Sequence, residues 1–169
     1  MLKKFCRIID ALNEGAGIIA AWLIIPLLMI VTYDVIMRYF LNRPTVWAWD
    51  INVQLLAVSV ALGGGYTYLY KGHIGVDVFV EGLARRKRAI VDLVTSIFFF
   101  LGIGVLVWES GRAAWSAVLT REVDYTFFAP PVYPLKVLIA VGFFLLFLQG
   151  IAKFIRDIVA VKSKEEKAP

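Results

Sequence analysis

The sequence predicts an all-α integral membrane protein with four transmembrane helices, short amphipathic interfacial helices and both termini in the cytoplasm. Three observations predict this fold class: an apolar composition, four long apolar runs, and an uneven distribution of positive charge. Of 169 residues, 60% are hydrophobic and 18% are charged, and the mean hydropathy is +0.77. A soluble domain is about 45–50% apolar, and so small a chain cannot hide the excess from water. The composition therefore excludes a soluble enzyme and a disordered segment.

The first two spans are uncharged runs that are long enough to cross a bilayer, which takes about 20 apolar residues. Gly15–Tyr33 has 19 uncharged residues before Asp34, and Ile51–Tyr70 has 20. The last two spans have shorter uncharged cores of 16 residues each, and the charges at their ends must extend toward the interface. The four predicted spans cover residues 15–37, 49–70, 89–112 and 134–155. The predicted single membrane domain and polar cytoplasmic tail cover residues 1–161 and 162–169.

Lysine and arginine predict the orientation. With the N-terminus inside, the inner segments carry thirteen of these 18 residues and the outer segments carry five. Positive residues accumulate on the cytoplasmic side of membrane proteins, so both termini are expected in the cytoplasm. The net charge of +5 then reflects membrane topology, and a nucleic-acid partner is not expected.

Three amphipathic segments flank the spans on the predicted inner side. Apolar residues backed by cations suit helices that lie on the anionic inner leaflet. The alternative is that the segments continue the spans as tilted helices. The three apolar stripes are Phe5, Ile8, Ile9 and Leu12; Val76, Phe79, Val80 and Leu83; and Phe154, Ile155, Ile158 and Val159.

Asp34 and Arg38 are the charges that most invite a functional interpretation. They are four residues apart at the outer end of the first span, so their side chains share one helix face in the favourable order. A proton or cation relay needs further carboxylates deep in the membrane, and the uncharged cores of the other spans contain none. We therefore interpret the two residues as a structural ion pair.

Other residue types argue against catalysis and cofactor binding. A single Cys6 excludes a disulfide within the chain, and a single His73 excludes a bis-histidine haem site. The sequence has no nucleophile-and-base arrangement, phosphate-binding loop or zinc cluster, so we expect neither an enzyme nor a cofactor. Gly63 and Gln149 lie within spans, where glycines allow close helix packing and amides bond between helices.

The order of several residues resembles the small membrane subunit of tripartite ATP-independent periplasmic (TRAP) transporters, the DctQ-like family. The family signature is roughly D-V-x-x-R-Y-x-x-N-x-P followed by a tryptophan and an acid, and it is matched within residues 34–50, DVIMRYFLNRPTVWAWD. A glycine in the second span, a G-H-x-x-V-D pattern and a P-x-x-P-x-K…G…L-Q-G ending follow. The family more often has Glu where Asp50 stands. The matching residues are Asp34, Arg38, Tyr39, Asn42, Pro44, Trp47, Asp50, Gly63, Gly72, His73, Val76, Asp77, Pro131, Pro134, Lys136, Gly142, Gln149 and Gly150.

The resemblance implies a scaffold role in a three-part uptake system of the bacterial inner membrane. A periplasmic protein captures a small organic acid, and a large membrane subunit carries it with the coupling ion. The small subunit supports the large one and helps to dock the binding protein; its other contact is membrane lipid. The sodium or proton gradient is used by the whole complex and is not bound by this chain. The candidate docking residues, all in the predicted outer loops, are Arg43, Arg121, Glu122 and Asp124.

Three other functions are alternatives to this scaffold role. A dimeric exporter needs a carboxylate at mid-membrane, and a redox anchor needs axial histidines. The sequence supplies neither. The third function is a non-transporting assembly or anchor protein of another inner-membrane complex, and sequence alone does not distinguish it from a transporter subunit.

Overall fold

The computed structural model describes residues 2–70 and 85–165. Regular structure in these two ranges is helical, apart from one antiparallel bridge between Val123 and Pro131, which confirms the all-α class. The helices are α1 Leu2–Tyr39, α2 Ala48–Leu69, α3 Arg85–Thr120 and α4 Tyr133–Glu165.

Three helices of the described chain are long and apolar enough to cross a membrane, namely α1, α3 and α4. Their qualifying segments are Lys4–Tyr39, Thr95–Thr120 and Tyr133–Arg156. The 22 residues of α2 rise about 33 Å, enough to span the hydrocarbon. Its hydropathy is lower because it carries Asp50, Asn52 and Gln54 together with a run of three glycines.

Two of the three predicted interfacial helices are continuous with spans, so the prediction of separate helices was wrong for them. α1 runs unbroken from Leu2, and α4 continues to Glu165. The apolar stripes are partly covered by helix packing: Cys6 and Ile9 form a buried cluster with Ala152, and Ile155 packs against it. The third stripe, Val76 to Leu83, lies outside the described residues.

The helices pack in the order α1, α2, α4, α3 across the bundle, with α1 also touching α4. One core cluster joins α1 and α2 through Ala16, Ala20, Val58 and Leu62. Tyr68 of α2 stacks on Phe99 of α3, with the ring centroids 4.8 Å apart. Because the start of α1 packs on the end of α4, these two ends lie at the same end of the bundle.

Gly142, which the motif contains, and Gly65, which it does not, are packed more tightly than the motif residue Gly63. A Cβ atom on Gly63 would lie 3.9 Å from Ala20 Cβ, an ordinary contact. A Cβ atom on Gly142 would lie 2.5 Å from Ala61 O, and one on Gly65 would collide with Asn13 Oδ1. Gly65 is buried against α1 and α4. The glycine run therefore packs within the bundle.

Candidate functional site

Asp34 holds the α1–α2 loop to the end of α1. Arg38 Nη2 lies 2.9 Å from Asp34 Oδ2, as their spacing on one helix face requires. Asp34 Oδ1 accepts hydrogen bonds from the backbone N–H of Thr45, at 3.2 Å, and from the Thr45 hydroxyl. The side chain of Asp34 is 17% exposed and that of Arg38 is 51% exposed. Asp34 therefore accepts hydrogen bonds both from Arg38 and from the loop residue Thr45. We call these three residues the Asp34 clamp.

Two motif residues shape the loop that the clamp holds. Asn42 has a φ of 52°, a left-handed conformation that asparagine adopts more readily than most residues. Beyond it, the N–H of Arg43 donates to Met37 O at 2.9 Å and closes the end of α1. Trp47 stacks on Tyr33 of α1, with centroids 6.0 Å apart. The tryptophan and asparagine of the motif thus fix the chain reversal.

The α3–α4 loop is joined to the start of α2 by Asp50. The carboxylate lies in the first turn of α2, where the helix dipole favours a negative charge. Its Oδ2 accepts a 2.7 Å hydrogen bond from the hydroxyl of Thr126, and Asp50 is buried. Lys136 Nζ, in the first turn of α4, contacts both carboxylate oxygens of Glu122 in the loop, at 2.7 and 2.6 Å. The α1–α2 and α3–α4 loops therefore form one connected surface.

Arg121 ends α3 in a left-handed conformation, with a φ of 48°. The N–H of Glu122 donates to Ala117 O at 3.0 Å, and that of Arg121 to Val118 O at 3.4 Å. These two bonds are the Schellman pattern, in which glycine usually occupies the left-handed position. An arginine there carries a steric cost of roughly 1 kcal/mol. Its side chain is exposed.

A buried polar network ties α1 to α4 at the other end of the bundle. Asn13 Nδ2 donates to Gln149 Oε1 at 2.8 Å, and Gln149 Nε2 donates to Asp10 Oδ1 at 2.9 Å. Arg156 Nη2 also lies 2.5 Å from Asp10 Oδ1. Asn13 is 0% and Gln149 1% exposed. Gln149 therefore makes its hydrogen bonds between helices.

A sequence model of the family described as tripartite ATP-independent periplasmic transporters, DctQ component, matches residues 27–160. The match covers most of the chain, including the Asp34 clamp, the α1–α2 and α3–α4 loops and Gln149. The chain belongs to the DctQ family. Membership confirms the resemblance drawn from the motifs, and with the three apolar helices it indicates a multi-pass inner-membrane protein.

Two curated relatives of this DctQ-family chain come from Vibrio cholerae. The C4-dicarboxylate TRAP transporter small permease protein DctQ is 29% identical over 92 residues, which are 54% of this chain and 39% of the relative. The sialic acid TRAP transporter small permease protein SiaQ is 24% identical over 106 residues, 63% of this chain and 60% of the relative. The chain thus spans between two and three fifths of the length of these relatives.

The remaining motif residues of the DctQ-family chain lie near the same loops, or outside the described ranges. Pro134 lies in the first turn of α4, where a missing N–H costs little. Tyr39 lines a groove between α1 and α2, and Pro44 lies in the loop after α1. Motif residues outside the described ranges are Gly72, His73, Val76 and Asp77.

Three features of this DctQ-family chain were missed by the sequence reasoning. Thr45 completes the Asp34 clamp, and nothing in a loop threonine signals that role. Asp10 and Asn13 reach Gln149, and their i,i+3 spacing on α1 is the signal that would have found them. The tip of the α3–α4 loop exposes aromatic rings, with Tyr125 100% and Phe127 95% exposed.

The described residues contain no group of three or more His, Cys, Asp or Glu side chains that would hold a metal ion.

Proposed function

We propose that the chain is the small membrane subunit of a TRAP transporter. It supports the large membrane subunit and helps to dock a periplasmic substrate-binding protein. The family match over residues 27–160 carries this proposal, and it does not favour a non-transporting anchor of another complex. The substrates are small organic acids, a class that includes the C4-dicarboxylate and sialic acid for which the two relatives are named. The sodium or proton gradient acts on the whole complex, without a cofactor on this chain.

The proposed topology has four spans in one membrane domain, with both termini and the polar tail in the cytoplasm. The packing of Ile9 against Ala152 supports it. Two chain ends on the same side require an even number of crossings, so α2 is the fourth span beside α1, α3 and α4. The excess of lysine and arginine at this end supports a cytoplasmic location.

Labelling of single cysteines tests this topology. In a Cys6→Ala background, Arg43→Cys and Arg121→Cys are expected to react with a membrane-impermeant maleimide in whole cells, while Lys87→Cys reacts only after the cells are opened. The reason is the positive-inside distribution. Strong labelling of position 87 in intact cells, with none at position 43, would show that the topology is the reverse of the proposed one.

The proposed docking surface is the connected surface of the two outer loops. Arg43 and Arg121 are exposed, while Asp124 is partly buried and accepts a bond from the N–H of Tyr125. Glu122 has a structural partner in Lys136, so its contribution to docking is indirect. The exposed rings of Tyr125 and Phe127 add aromatic anchors of the kind that dominate protein interfaces. Charges at the edge of an interface mainly steer encounter, which suits a binding protein that must leave after delivery.

Uptake by reconstituted vesicles tests the function. Vesicles with the large TRAP membrane subunit, this chain and the binding protein are expected to accumulate the acid that the purified binding protein binds. Vesicles that lack this chain are expected to show background uptake, because the large subunit loses its scaffold. Full uptake without this chain, or uptake by this chain alone, would refute the proposal.

The same vesicles separate docking from folding. Arg121→Glu is expected to slow uptake several-fold at low concentrations of binding protein, and excess binding protein restores the rate. Arg121→Gly is the matched control for the backbone, because glycine prefers the left-handed conformation found there. It should assemble at least as well as the unsubstituted chain, with an intermediate loss of uptake. Equal loss at all concentrations would assign Arg121 to folding.

A further inference from the structure

The outer half of the α1–α2 pair carries a groove of about 460 Å³ whose lining comes from these two helices alone. We call it the outer groove. Its walls are mostly apolar, with Leu27, Val31 and Val35 on α1 facing Val53 and Leu56 on α2. The Asp34 clamp and the Tyr33–Trp47 stack hold the connecting loop. The walls are therefore fixed relative to each other before anything enters.

Two polar side chains line the outer groove with unused hydrogen-bonding capacity. A guanidinium has five N–H donors, and within the described residues one donor of Arg38 is bonded, to Asp34. Asn52 Oδ1 is buried and has no hydrogen-bond partner in the described part of the chain. An unpaired amide is costly where lipid is the only solvent. Asn52 also lines the groove, so a group seated there lies beside its side chain.

We propose that the outer groove receives a transmembrane helix of the large membrane subunit. This helix carries a carboxylate that pairs with Arg38 and a hydrogen-bond donor that reaches Asn52. The assignment rests on the proposed function, which supplies the partner. Charge complementarity selects the carboxylate, because Arg38 is half exposed beside an aspartate whose oxygens are already engaged.

Other occupants of the outer groove would leave Arg38 or Asn52 without a partner there. A phospholipid phosphate pairs with Arg38, but an acyl chain offers Asn52 no donor. A second copy of this chain presents Asp34 from the same face, and that carboxylate is already bonded to Arg38 and Thr45. A second groove, about 330 Å³ between α1, α2 and α4, has no charged side chain in its lining, although Gln54 Nε2 there is also buried without a partner in the described part of the chain. It serves as the comparison.

Site-specific photo-crosslinking tests the proposal in the assembled complex. The full chain, tagged and coexpressed with the large TRAP membrane subunit, carries a photoreactive residue at Val53 or Leu56 in the outer groove. Matched positions are Leu138 in the second groove and Val105 on the exposed face of α3. We expect adducts with the large subunit from positions 53 and 56, and adducts about tenfold weaker from positions 138 and 105.

Filling the groove gives a second measurement. Val53→Trp is expected to reduce the co-purified large subunit about tenfold, the loss produced by a modest steric clash, while Leu138→Trp changes it less than twofold. The amount of tagged chain in the membrane shows whether each variant folds. Adducts from positions 138 or 105 alone, or adducts only with lipid or a second copy, overturn the assignment and leave the proposed function standing. If the large subunit fails to co-purify with the unsubstituted chain, the proposed function itself is refuted.

Discussion

Replacement of Gly142 by leucine is expected to push α4 away from α2 and to destabilise the bundle. The first added atom would lie 2.5 Å from Ala61 O and 2.6 Å from Ala61 C. These are backbone atoms, so the clash is relieved only by moving a helix. Overpacking costs about 1–3 kcal/mol, which exceeds the gain in helix propensity of roughly 1 kcal/mol.

Gly104→Leu is the matched control, since a Cβ atom at Gly104 meets nothing within 4 Å. Thermal unfolding of the detergent-solubilised chain, followed by size exclusion, measures both variants. A net loss of up to about 2 kcal/mol lowers the midpoint by up to roughly 8 °C in a chain of this size, whereas the control should be unchanged or higher. Equal midpoints for the two variants would show that α2 and α4 are not in close contact at Gly142.

Removal of the Asp34 carboxylate is expected to release the α1–α2 loop and leave Arg38 unpaired near the hydrocarbon. Asp34→Leu loses the acceptor of both Thr45 bonds as well as the ion pair with Arg38, and each loss weakens the attachment of the loop. Asp34→Asn keeps an oxygen for the N–H of Thr45 and should lose roughly half as much. The yield of assembled complex, measured against total membrane expression, should be highest for the unsubstituted chain, lower for Asp34→Asn and lowest for Asp34→Leu.

The charge-swapped variant, Asp34→Arg with Arg38→Asp, refines the Asp34 prediction. It restores a pair of opposite charges but leaves no acceptor facing Thr45, so only part of the yield should return. Full recovery would mean that the ion pair alone matters and that Thr45 contributes nothing. If Asp34→Asn assembles normally and yet abolishes uptake, Asp34 is a relay group and the structural interpretation fails.

Several features of the fold were predictable from short-range sequence patterns. The uncharged runs locate the four helices, and the i,i+4 spacing places Arg38 against Asp34 because helix geometry alone determines that contact. The continuity of α1 through residues 5–12 was not predictable. The same apolar stripe can lie on a membrane surface or, as at Ile9, pack against another helix, and the choice depends on where α4 ends.

The rest of the candidate site depends on how distant helices are rotated and on loop conformation. Gly63 and Gly65 are equivalent in sequence, but only the rotation of α2 turns Gly65 toward Asn13. The partner of Asp50 is Thr126, 76 residues away in an irregular loop, and no local pattern links the two. The sequence therefore identified Asp50 as a motif residue without revealing what it holds.

The network between α1 and α4 has a consequence for how the protein is made. Gln149 lies 139 residues after its partner Asp10, so the ribosome, at about 5–20 residues per second, needs roughly 7–28 s to synthesise the intervening chain. During that interval the polar face of α1 has no intramolecular acceptor or donor from α4. The newly inserted α1 therefore exposes this polar face until the segment that contains Gln149 enters the membrane. A chain that ends before Gln149 leaves Asn13 without the hydrogen bond that it makes to that residue.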